Sequence, residues 1–188
     1  FFTGNSYEHS DFKVLDFSIV GIDSNGNEYS FDSNEETDIN GSLIIGELFG
    51  GNNLGGTTIT PRITLNKGTY NNIYGGGNQA ETTSDITLNI KNIYVNESIY
   101  GGGNQAGANT TKVEIQDGTV QKLFGGSNTS GNVNETNVIL NDGKITEVYG
   151  GNNEGGNTVN SNVTIYGGDL DNVYGGGNNV FAQTTNVY

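Results

Sequence analysis

Six copies of one short motif recur along this chain at a nearly fixed distance. They read LFGGNN from Leu48, IYGGGN from Ile73 and again from Ile99, LFGGSN from Leu123, VYGGNN from Val148 and VYGGGN from Val173. Successive starts lie 25, 26, 24, 25 and 25 residues apart. A period in this range marks a solenoid, in which each unit buries its apolar face only by stacking on its neighbours.

Aligning the copies yields columns. The aromatic column is Phe49, Tyr74, Tyr100, Phe124, Tyr149 and Tyr174, and the asparagine column is Asn53, Asn78, Asn104, Asn128, Asn153 and Asn178. A third column holds alternating apolar pairs: Ile63/Leu65, Ile86/Leu88, Val113/Ile115, Val138/Leu140 and Val163/Ile165. A fourth runs Tyr70, Val95, Val120, Ile145 and Leu170, usually two residues after a glycine. These are short strand candidates between Gly, Asn and Asp turns, and no window shows helical spacing. The expected fold is therefore all-β: a parallel β-helix of about 25 residues per coil, with five to six coils. Three short strands and three corners per coil fit that length. Coils stacked at the interstrand distance of ~4.8 Å make a rod of ~25–30 Å. A leucine-rich repeat lacks its consensus here, and a propeller blade needs a longer period.

Residues 1–44 fall outside the repeat. Residues 12–22 alternate with apolar side chains on both faces, Asp23 to Asn27 supply a turn centred on Asn-Gly, and Glu28 to Phe31 alternate again. This predicts a β-hairpin. Its natural role is an N-terminal β cap, since an open solenoid end exposes core and unpaired strand edge. Ten of the 21 acidic residues lie at or before Glu47 and would oppose edge pairing there. Residues 45–188 form the solenoid domain. There is no starting Met and the last repeat breaks off at Tyr188, so the chain reads as a piece of a longer protein.

Charge narrows the partners. Seven Lys and Arg against 21 Asp and Glu give a net charge of −14. Nucleic acid requires clustered cations to replace its counterions, and anionic membranes favour basic segments, so both are excluded as expected partners. No apolar run reaches the ~20 residues that span a bilayer. A neutral polymer is easier to accommodate. Without cysteine there is neither a disulfide frame nor thiolate chemistry.

Asparagines stacked at one corner are expected to hydrogen-bond along the rod, and Asn tolerates the left-handed backbone of a tight corner. If Leu48, Ile73 and their equivalents point inward, strand alternation sends the aromatics outward as a stripe. That stripe has two readings. As a stacking ladder it stabilises the rod by ~0.5–1.5 kcal/mol per pair. As a platform, with the following glycines leaving ring faces open, it binds sugar rings. The recurring pairs Thr57-Thr58, Thr82-Thr83, Thr110-Thr111 and Thr184-Thr185 drift in register, which argues against a flat ice-binding array and for ordinary β propensity.

Catalysis finds little support. His9 is the only histidine, and no nucleophile elbow, zinc spacing or phosphate loop occurs. Asp117 and Asp142 are a candidate carboxylate pair of the kind glycoside hydrolysis needs, with a solvated turn as the plainer account. Arg62, Lys67, Lys91, Lys112, Lys122 and Lys144 are scattered, and Lys122 is placed to pair with Glu147. No cofactor or metal is expected. Calcium is the one metal with any donor set, at residues 32–38, which lack the EF-hand glycine and terminal Glu.

The YGGGN-type repeats from Leu48 to Tyr174 resemble the glycine- and asparagine-rich β-solenoid repeats of bacterial extracellular surface proteins and adhesins. That resemblance implies secretion and display on a cell envelope. The expected function is a non-catalytic extracellular adhesion or stalk module, with a polysaccharide or host glycan as partner and the aromatic ladder as contact surface. Alternatives are a lyase-type polysaccharide-degrading β-helix enzyme and a purely structural spacer.

Overall fold

The computed structural model describes residues 2–5, 16–22, 28–32 and 44–188. The chain divides into two units, residues 1–42 and 43–188. In the first, β1 (Phe2–Asn5), β2 (Asp16–Ile22) and β3 (Glu28–Asp32) form an antiparallel sheet in the order β1-β2-β3. Ile22 pairs with Glu28 and Ser18 with Asp32, so the two arms of the expected hairpin lie side by side. β1 is an addition the alternation did not announce. The turn at 23–27, His9 and the acidic residues 33–38 lie outside the described residues.

The second unit is a β-solenoid of about six turns, as the period requires. One six-stranded parallel sheet stacks β4 (Ile44–Phe49), β6 (Thr69–Tyr74), β8 (Ile93–Tyr100), β10 (Gly118–Phe124), β12 (Lys144–Tyr149) and β14 (Asp169–Tyr174). The other stacks β5 (Arg62–Leu65), β7 (Ile86–Ile90), β9 (Ala108–Ile115), β11 (Val133–Leu140), β13 (Thr158–Ile165) and β15 (Ala182–Val187). Each turn thus has two strands where three were expected. The third side is the glycine–asparagine stretch, which still hydrogen-bonds coil to coil: Gly75 N–H donates to the Tyr100 carbonyl at 2.9 Å and Gly76 N–H to that of Gly102 at 3.0 Å. It carries a parallel ladder without strand geometry because glycine gains little from the extended pleat.

Between the sheets lies a continuous apolar core. Ile73, Ile99, Leu123 and Val148 from the first sheet meet Leu88, Val113, Val138 and Val163 from the second, all fully buried. The motif's first glycine turns the chain against this core at close quarters. A methyl group on Gly125 would strike the Gly150 carbonyl oxygen and come within 3.0 Å of Val138 Cγ2. At the opposite corner Gly68, Gly118, Gly143 and Gly168 hold φ between 109° and 131°, a region L side chains avoid. The left-handed backbone expected at the asparagines is thus at glycines, because among the described residues the only non-glycine residue with positive φ is Thr60.

The unequal spacings have local causes. Within the two long sheets the register shifts only at β8: Val95 faces Tyr70 and Val120, whereas Ser98 faces Asn72 and Lys122. Two residues, Asn96 and Glu97, therefore stand opposite single residues on either side, which is a β-bulge. It lengthens the step from Ile73 to Ile99. The following turn from Asn104 to Ala108 is one residue shorter than that from Asn128 to Val133, and the next step contracts.

Candidate functional site: the aromatic ladder and its flanking columns

In each first-sheet strand, alternation places the aromatic residue opposite the aliphatic one that precedes it, so the rings lie outside the core in a cluster of their own. Phe49, Tyr74, Tyr100, Phe124, Tyr149 and Tyr174 form one uninterrupted stack, with centroids 4.5 to 5.0 Å apart and planes within 14°. The strand spacing sets that separation. The outward direction agrees with the sequence reading, but the open ring faces expected of a platform are taken up by neighbouring rings. Tyr74, Tyr100, Phe124 and Tyr149 are at most 7% exposed, and only the terminal Tyr174 reaches 46%.

The columns on either side complete the enclosure. Two residues before each ring runs Glu47, Asn72, Ser98, Lys122, Glu147 and Asn172. The Tyr149 hydroxyl donates to Glu147 at 3.3 Å, and Lys122 forms its ion pair with the same carboxylate at 3.0 Å. Four residues after each ring lies the asparagine corner. There Nδ2 of Asn78, Asn104, Asn128, Asn153 and Asn178 each donates to Oδ1 of the asparagine one coil earlier, at 2.8 to 3.0 Å. Burial pushes the Tyr74 hydroxyl up to about 12, with the Tyr100 hydroxyl adding to the rise. Burial also raises Tyr100 and Tyr149, the latter helped by Glu147. Hydrogen bonding to Glu147 raises Lys122.

Sequence reasoning missed a row of buried hydroxyls. Thr111, Thr136 and Ser161 point inward and donate to the carbonyls of Gly125, Gly150 and Gly175 at 2.5 to 2.6 Å. Thr158 Oγ1 accepts from Asn152 N–H at 3.1 Å, as Thr58 does from Asn52. Thr58 and Thr111, the second threonines of their pairs, thus tie the strand to the glycine side, whereas in the pair at 82 the first residue, Thr82, is the buried one, with its hydroxyl unpartnered among the described residues. The signal for the row was the inward phase of the strand, read from Val113 back to Thr111.

The remaining candidates stay local. Asp117 and Asp142 each accept from the N–H of the glycine that follows, at 2.6 and 2.8 Å, which fixes both carboxylates in their own turns. Lys112 pairs with Glu114 and Lys144 with Asp169. Among the described residues no three His, Cys, Asp or Glu side chains come together as a metal site. Neither a family model, nor a curated protein, nor a solved structure matches this chain.

Proposed function

We propose that the chain is a non-catalytic extracellular module of the adhesion or stalk type: a stiff β-solenoid spacer that displays a contact surface along its length. The observation that carries this reading is the direction in which the side chains spend their chemistry. Rings stack on rings, amides bond to amides, and the inner hydroxyls of Thr111, Thr136 and Ser161 bond to glycine carbonyls of the same or an adjoining turn. Such columns make a repeat array resist bending and unravelling, because every coil is held by its neighbours. The net charge of −14 favours a neutral polymer over a polyanion as the surface to be met.

The test pairs retention with turnover. The protein is incubated with a panel of insoluble polysaccharides and with cells, and both bound protein and newly released sugar ends are measured. Retention without turnover is the expected result. Release of sugar ends would overturn the non-catalytic reading in favour of a polysaccharide-degrading enzyme. Neither retention nor turnover would remove adhesion and leave the spacer.

A further inference from the structure

The rod is regular everywhere along its two long sheets except at β8, and that irregularity coincides with an open aromatic ring. Tyr94 lies on the outer face of β8 and is 60% exposed. Its neighbours in the same column are Thr69 on one side and Thr119 on the other. In contrast to the rings of the ladder, no aromatic neighbour among the described residues stacks on it, and both rungs beside it are small. Two residues on, the bulge pushes Asn96 and Glu97 out of the sheet, both exposed.

The bulged side chains are held in place. Asn96 Nδ2 donates to Asn71 Oδ1 at 2.9 Å, and Asn72 Nδ2 donates to Glu97 Oε2 at 2.6 Å. Among the described residues one carboxylate oxygen of Glu97 and the side-chain oxygen of Asn96 are left to accept, and the exposed Gln121 amide stands opposite the bulge on β10. A bulge re-aims side chains at the cost of ladder pairing. Here it places hydrogen-bonding groups of fixed orientation beside a free ring face.

We propose that Tyr94, Asn96, Glu97 and Gln121 form a contact site for a neutral pyranose polysaccharide. The apolar C–H face of a sugar ring lies against Tyr94, and its hydroxyls donate to Glu97 and exchange hydrogen bonds with the amides. A polyanion is disfavoured by Glu97 itself and by the charge of the whole chain. This rests on the adhesion reading above and moves the contact from the enclosed ladder to the bulge.

The experiment measures retention on insoluble neutral glucans, mannans and chitin, and on a glycan array, at low and at high salt. It compares the unaltered protein with Tyr94→Ala, with Glu97→Gln, and with Tyr166→Ala as an exposed control, each checked for an unchanged melting temperature. A tenfold or greater loss for Tyr94→Ala, a smaller loss for Glu97→Gln, no loss for Tyr166→Ala and indifference to salt are expected. Binding by Tyr94→Ala equal to that of the unaltered protein would overturn the site while leaving adhesion standing. Retention abolished by salt would overturn the neutral-sugar contact in favour of charge attraction. No retention of the unaltered protein on any neutral polysaccharide would overturn the site and the adhesion reading together, leaving the spacer.

Discussion

Phe124 stacks on Tyr149 with ring centroids 4.8 Å apart and planes 7° from parallel, and it is 1% exposed. A ring so enclosed, outside the aliphatic core, works as a second core. Phe124→Ala is expected to destabilise the fold by ~3–5 kcal/mol, the loss usual for a buried phenylalanine. Tyr174→Ala, at the open end of the stack, should cost only about the stacking increment of ~0.5–1.5 kcal/mol. Urea unfolding of both variants measures the difference, and equal losses would refute the enclosed ladder.

Alkaline titration probes the same stack. A tyrosine whose folded pKa lies above its unfolded value of 10.0 contributes its full stability below pH 10 and loses it as the pH rises through the folded value. For Tyr74 that value is about 12. The solenoid should therefore lose stability between about pH 10 and 12, with phenolate absorbance and loss of β circular dichroism rising together. Tyr74→Phe should move the transition to higher pH. Ionisation of Tyr74 near pH 10 with the fold intact, read as the difference between the unaltered protein and Tyr74→Phe, would contradict its burial.

The asparagine corner has a direction, since each Nδ2 points toward the coil before it. Asn104 donates to Asn78 and accepts from Asn128. Asn104→Ala should cost ~1–3 kcal/mol by leaving partners unpaired. An ionised Asn104→Asp keeps the bond from Asn128 but sets a negative oxygen against Asn78 Oδ1. That variant should regain stability as the pH falls and the new carboxyl becomes a donor. Melting temperatures at pH 7 and pH 4 decide this, and a variant less stable at pH 4 relative to the unaltered protein would count against it.

Glycine substitutions should separate two kinds of position. Gly125→Ala drives a methyl group into the Gly150 carbonyl and is expected to cost at least ~3 kcal/mol or abolish folding. Gly46→Ala has nothing within 4 Å of the new carbon and should stay within ~0.5 kcal/mol of the unaltered protein. Thermal melts of the two suffice, and equal tolerance would remove the close coil approach from the account.

Much of this architecture was legible in the sequence. The spacing from Leu48 to Val173 and the alternation at Ile63/Leu65 and its equivalents carry the period, the parallel stacking and the inward faces, because a solenoid writes one coil's needs into every repeat. The burial of Tyr74 and Tyr100 was less legible. Alternation says which side of a strand a residue takes, and enclosure depends on columns two residues before and four after, which only the stacking brings together. The two-stranded coil was hidden for a related reason: Gly-Gly-Gly-Asn keeps ladder hydrogen bonds without strand geometry. The bulge appeared only as a spacing of 26, which has the same arithmetic in a loop as in a strand.

The contact between the motif's first glycine and the next coil's carbonyl limits how a protein of this kind can change. A rung with no room for a methyl group admits few substitutions, and each would be repeated against neighbours above and below. Whole coils meet no such obstacle, since a duplicated unit fits on the last as the last fits on its predecessor. Length is therefore the dimension in which such a chain varies at least cost, and local identity is confined to rare interruptions of the pattern, such as the extra residue at Glu97.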